Sequence, residues 1–150
     1  MSAVDNFVPT ASLPLLSKYL TDWGVNLVVT RKRITKHGDF RALPKGMHQI
    51  TVNEMPNPYR FLITTVHEIA HLVSYKDFGL GIKPHGKEWK YTYRKIMLPF
   101  LTAEIFPEEL LKVLQLHFRN PKASSDTDSQ LALVLNKFDP ENKKNYIFEL

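Results

Sequence analysis

The sequence predicts an α+β protein, and three observations carry that expectation. Three β-rich stretches lie together between residues 25 and 53. Segments with helical hydrophobic spacing flank them, one before and four after. The chain has 150 residues, 43% of them hydrophobic, the size and apolar content of one globular domain, expected to span 1–150.

The first helix is expected in LPLLSKYLTDW, where Leu16, Tyr19, Leu20 and Trp23 share one face and Gly24 follows as a stop. VNLVVTRKRI, DFRAL and MHQITVN are the β-rich stretches, separated by turn signals at His37-Gly38 and Pro44-Lys45-Gly46. Their simplest assembly is a three-stranded antiparallel meander, a small antiparallel sheet packed against helices. Asn57 followed by Pro58 suits an N-cap with proline in the first turn. The helix it starts is expected to run to about Lys76, with Leu62, Val66, Ile69 and Val73 as its apolar stripe and Gly79 and Gly81 beyond its end. After the loop FGLGIKPHG, KEWKYTYRKIML places Trp89, Tyr93, Ile96 and Met97 on one helix face, and Pro99 stops it. FPEELLKVLQLHF and SSDTDSQLALVLNKF make a helical C-terminal part over 101–138, the second capped by Ser or Asp. The closing NKKNYIFEL ends on aromatic and aliphatic side chains, so 139–150 is expected to begin a segment that continues further.

Composition narrows the chemistry. The chain has no cysteine, which excludes a disulfide framework and thiolate metal ligands, so a metal would rely on His, Asp and Glu. No apolar run approaches a membrane span and the N-terminus lacks a signal core, so the expectation is a cytoplasmic protein with no membrane partner. Twenty basic residues against 15 acidic give a net charge of +5, which favours anionic partners and permits nucleic acid without demanding it.

The stretch VHEIAHL, residues 66–72, is the strongest motif. Residues four apart stack on one face of a helix, so His67 and His71 can direct ring nitrogens to a single ion. Glu68 lies about 100° further round, poorly placed as a third ligand and well placed to take a proton from water activated by that ion. Such a pattern arises by chance in about one sequence in a hundred of this composition, so its helical context matters. A catalytic zinc takes three protein ligands. The extended pattern with Gly three and His six residues after His71 is excluded, because Ser74 and Asp77 stand there. Glu88 and His85 both remain as third-ligand candidates.

HEIAHL, followed by YKDFG and PHGKEWK, resembles the SprT-like family of zinc metalloproteases, in which a histidine followed by Gly and then an aromatic residue supplies the third ligand. GVNLVVTRKRITKHGDFRAL with HQITVNE resembles the strand region before the active helix of that family, so the resemblance covers roughly residues 10 to 100. It implies a compact zincin-like fold, one catalytic Zn2+ held by His67, His71 and His85, Glu68 as catalytic residue, and a protein or peptide substrate. Many members append a cysteine-rich zinc ribbon, which a chain without cysteine lacks. The eukaryotic relatives called Spartan digest proteins crosslinked to DNA, so the resemblance also brings DNA into view as a partner.

Lys83, Lys87, Lys90 and Arg94 cluster beside His85 and could bind phosphate, helped by Tyr91; the competing reading is a solvated helix face. Arg31-Lys32-Arg33 reads as a basic strand end. His37, His48 and His117 read as structural or surface residues, and Tyr75, Tyr91 and Tyr93 as side chains able to steady an oxyanion if aimed at one. Trp89 is expected in the core, pinning the third-ligand loop against the active helix. A reading from another class is a non-catalytic zinc-stabilised DNA-binding module, which would keep the three histidines and tolerate loss of Glu68.

Overall fold

A computed structural model describes residues 4–31, 38–42, 48–119 and 128–140. Among these residues the fold is α+β, with α1 (Leu13–Asp22), β1 (Val25–Thr30), β2 (Gly38–Ala42), β3 (His48–Asn53), α2 (Pro58–Phe78), α3 (Lys87–Met97), α4 (Glu108–His117) and α5 (Ser129–Asn136). No helix among them is long and apolar enough to cross a membrane. The turn signals at 43–47, residues 32–37 and the closing 141–150 lie outside the described residues.

The sheet corrects the expected meander. Its order is β1-β3-β2, and it is mixed: β1 runs parallel to β3 from Val25↔His48 to Thr30↔Asn53, while β2 is antiparallel to β3 from Gly38↔Val52 to Ala42↔His48. Burial explains why the last strand takes the centre. In β3 the alternate residues His48, Ile50 and Val52 are all buried, whereas β1 has no fully buried residue. A strand with that much apolar surface to hide is best covered between two neighbours. A parallel pair also needs a long crossover, about a dozen residues or more. The segment between β1 and β3, which includes β2, supplies it.

Gly38 belongs to β2 and not to a turn. A Cβ there would lie 3.1 Å from the Thr51 carbonyl oxygen, 3.2 Å from Thr64 Cγ2 and 3.3 Å from Glu68 Cγ. A glycine lets the strand approach that closely.

Helix α2 is the core of the molecule. The sheet packs on one side of it and α3 on another, so its buried set spreads round most of its circumference: Phe61, Leu62, Val66, Ile69, Ala70 and Leu72 have no exposure. Full burial of each large apolar side chain contributes about 1.5–3 kcal/mol. The ends of α2 are fixed locally. The Asn57 side-chain oxygen accepts from the Tyr59 and Arg60 backbone N–H groups at 3.1 and 3.2 Å, as an N-cap should. At the other end Gly79 adopts φ 80°, a conformation that ends helices at little cost only in glycine.

The C-terminal helices brace the start of α2. Asn57 Nδ2 donates to the Leu135 carbonyl at 2.9 Å and to Asp139 Oδ1 at 3.0 Å, and Arg60 donates to Asn136 Oδ1 at 2.9 Å. Arg60 also lies 3.5 Å from an Asp139 oxygen. One buried amide therefore caps α2 and adds a second hydrogen bond to a carbonyl at the end of α5. His117, at the end of α4, is buried and pairs through Nδ1 with Asp128 at 3.0 Å, the residue that also caps α5 by accepting from Leu131 N–H.

Candidate metal centre

His67, Glu68 and His71 lie within α2, held mid-helix by the apolar residues Val66, Ile69, Ala70 and Leu72 that surround them in sequence and are buried in the core. The third histidine comes from the loop between α2 and α3. There the Gly86 N–H donates to the Lys83 carbonyl at 3.0 Å, closing a tight turn with Pro84 and His85 at its centre. His85 takes φ 61°, the one positive φ of a non-glycine residue among the described residues. Proline at the second position and a positive φ at the third define a type II turn. A Cβ on Gly86 would lie 3.1 Å from both the Cβ and the carbonyl oxygen of Lys83, so glycine is needed to close it this tightly.

The result is a group of three imidazoles, His67, His71 and His85, close enough to bind a metal ion. Their Nε2 atoms form a triangle with sides of 3.2 Å (His67 to His71), 3.0 Å (His71 to His85) and 3.2 Å (His67 to His85). Three nitrogens about 2.0–2.1 Å from a tetrahedral zinc would stand about 3.3 Å apart, close to these sides. Hydrogen bonding does not account for the cluster. A neutral imidazole nitrogen is either a donor or an acceptor, so three mutually adjacent ones always leave at least one like-with-like pair. A cation satisfies all three lone pairs at once.

The electrostatics agree. Burial, and then the neighbouring charge of His85, lower the His71 pKa to about 4, and burial lowers that of His85 as well. Both rings are thereby held neutral near pH 7, the state in which imidazole binds metals. Glu68 is buried, with its Oε2 3.8 Å from the His67 Nε2. Beneath the cluster the buried Tyr93 donates to the Ile63 carbonyl at 3.4 Å, and burial together with the charge of Glu68 raises its pKa. Glu88 is not part of the cluster.

The other residues singled out in the sequence fall as follows. Lys83, Lys87 and Arg94 are exposed and Lys90 half-buried, and none of the four makes an ion pair among the described residues. Tyr91 is exposed, Tyr75 packs against Phe40 and His48, and Tyr93 is committed to the floor of the site. Gly38, whose backbone lies against Glu68, is a residue the sequence reading missed; a glycine opening a β-rich run is the signal that could have found it.

Two histidines one helical turn apart, a carboxylate between them and a third histidine from the next loop define a candidate three-histidine metal centre. Comparison with known proteins finds a partial likeness to SprT. SprT from Pseudomonas syringae pv. tomato is 39% identical over 72 residues, 47% of this chain and 44% of that protein. SprT from Pseudomonas fluorescens is 34% identical over 87 residues, 53% of each chain. Over about half of its length the chain is similar to these SprT proteins, and it spans about half the length of the relatives it matches. No family model and no solved structure matches it.

Proposed function

We propose that this chain is a zinc-dependent metallopeptidase of zincin-like architecture, with His67, His71 and His85 holding one zinc ion and Glu68 transferring protons. The observation that carries the proposal is the triangle of imidazole nitrogens with a buried carboxylate 3.8 Å from one of them. Three imidazoles favour zinc over the harder divalent ions. A zinc ion there would supply a Lewis acid that polarises a carbonyl and acidifies water.

The chain's own contribution is orientation and proton transfer. Glu68 takes up a proton at a carboxylate oxygen and returns it to the nitrogen of the departing amine, acting first as base and then as acid. Its burial, beside a strand position where a Cβ on Gly38 would come within 3.3 Å of its Cγ, limits the room the side chain has between those two steps.

The substrate class is protein or peptide, with DNA-associated proteins favoured by the four cations beside His85 that have no acidic partner among the described residues. The alternative, a zinc-stabilised DNA-binding module without catalysis, gives no reason for a carboxylate to be buried beside the histidines. The test is cleavage of an unfolded basic protein by zinc-loaded protein, with and without single-stranded DNA, against Glu68→Gln. Cleavage lost by several orders of magnitude in Glu68→Gln, with zinc retained, is the expected outcome. A zinc-loaded wild-type chain with no activity above that variant would overturn the peptidase reading.

A further inference from the structure

We propose that Trp89 is the positioning residue of the metal centre: its indole, packed against all three histidine rings, holds their nitrogens converged before any ion arrives. The inference rests on the metal-site reading above and extends it to a residue outside the ligand set.

The three rings do not come from one rigid element. His67 and His71 belong to α2, while His85 sits in a loop turn. Trp89, in the first turn of α3 and fully buried, touches both sources. Its ring centroid lies 4.9 Å from His67, 5.3 Å from His71 and 4.7 Å from His85. It stacks on His71 at an interplanar angle of 24° and meets His67 and His85 edge-on at 60° and 80°. Behind it Tyr93 packs at 4.8 Å, and Phe118 packs on Tyr93 at 4.7 Å, so the indole is itself held from the helical side.

A histidine ring turns about a broad, nearly two-fold torsion, and fixing three such rings costs entropy that weakens metal binding unless the fold has already met it. Residues that orient metal ligands change affinity by about 10–100-fold when altered. They usually act by accepting a hydrogen bond from the ligand ring, and Trp89 cannot, since indole is a donor only. Its Nε1–H is buried with no partner among the described residues. An N–H left in that state is a cost, so the indole serves here through its flat surface and not its polar atom. Phenylalanine should therefore replace it and leucine should not.

Zinc release into an excess of a chromogenic chelator, measured on wild type, Trp89→Phe and Trp89→Leu, tests this. Trp89→Leu is expected to release zinc about 10–100-fold faster, with Trp89→Phe much nearer to wild type. Folding of each metal-free chain is checked by circular dichroism. A folded Trp89→Leu that releases zinc at the wild-type rate, or a folded Trp89→Phe as impaired as Trp89→Leu, overturns the proposal. If Trp89→Leu does not fold, metal-free wild type decides: nuclear Overhauser contacts from the indole to the rings of His67, His71 and His85 are expected, and their absence overturns it. A wild-type chain that takes up no zinc yet shows those contacts would instead overturn the metal-centre reading.

Discussion

Asn57→Ala should be among the most destabilising single changes in this protein, although the residue lies far along the helix from the histidines. The substitution removes two cap bonds, to the N–H groups of Tyr59 and Arg60, which are typically worth about 0.5–2 kcal/mol together. It also removes the two bonds that the buried amide donates, to Asp139 and to the Leu135 carbonyl, which keeps the Phe138 N–H at 3.0 Å; at about 0.5–1.5 kcal/mol each they add about 1–3 kcal/mol. The expected total is about 1.5–5 kcal/mol, or on the order of 3–20 °C in Tm for a chain of this size. Urea unfolding followed by circular dichroism measures it, and Asn57→Ser separates the parts. Serine keeps the cap but cannot reach across to α5, so it should recover only the first share. A loss below about 0.5 kcal/mol in Asn57→Ala would refute the reasoning that α5 holds the start of α2 through this amide.

Three further predictions follow from particular residues. His48 is buried with neither ring nitrogen partnered among the described residues, and burial, then the charge of Lys76, lower its pKa. The unfolded chain therefore takes up a proton first: the neutral ring favours the fold above about pH 6.5, and stability falls as pH drops below that value towards the lowered folded pKa. His48→Leu should flatten this part of the pH–stability curve, and an unchanged slope would assign the acid loss elsewhere. Gly38→Ala should cost about 1–3 kcal/mol through crowding of Thr51, Thr64 and Glu68, and should reduce hydrolysis by more than the loss of folded protein accounts for; equal losses would mean that Glu68 does not feel the strand. Reversing the charges of Lys87, Lys90 and Arg94 should weaken single-stranded DNA binding and flatten its salt dependence, with unchanged affinity marking the stripe as a solvated face.

Much of the helical frame was legible because its signals are local. Asn57, Pro58 and Gly79 fix the limits of α2 through contacts within one turn, and the apolar faces of α1 and α3 follow from spacing alone. The sheet was not legible in the same way. Strand order depends on which strand hides most surface against α2, and the turn signals suit a meander as well as a crossover. Gly38 carried an ambiguous message, since glycine marks both turns and close backbone approach. The third histidine was undecided by spacing, because His85 and Glu88 lie within one turn of each other. What separates them is the backbone of the Lys83–Gly86 turn, which brings the His85 ring to the pair while Glu88 stays outside. The burial of His117 likewise depends on Asp128, a partner that helix patterning could not indicate.

The left-handed backbone of His85 sets function against stability at a single position. A side chain held at φ 61° carries a penalty of on the order of 1 kcal/mol that glycine would avoid. His85→Gly should therefore ease the turn and could leave the metal-free chain no less stable, while removing a third of the candidate ligand set. A screen for thermal stability without metal would reward that change, and a screen for metal retention would discard it. Selection on the wrong property would thus erode this site first at its loop and last at its helix.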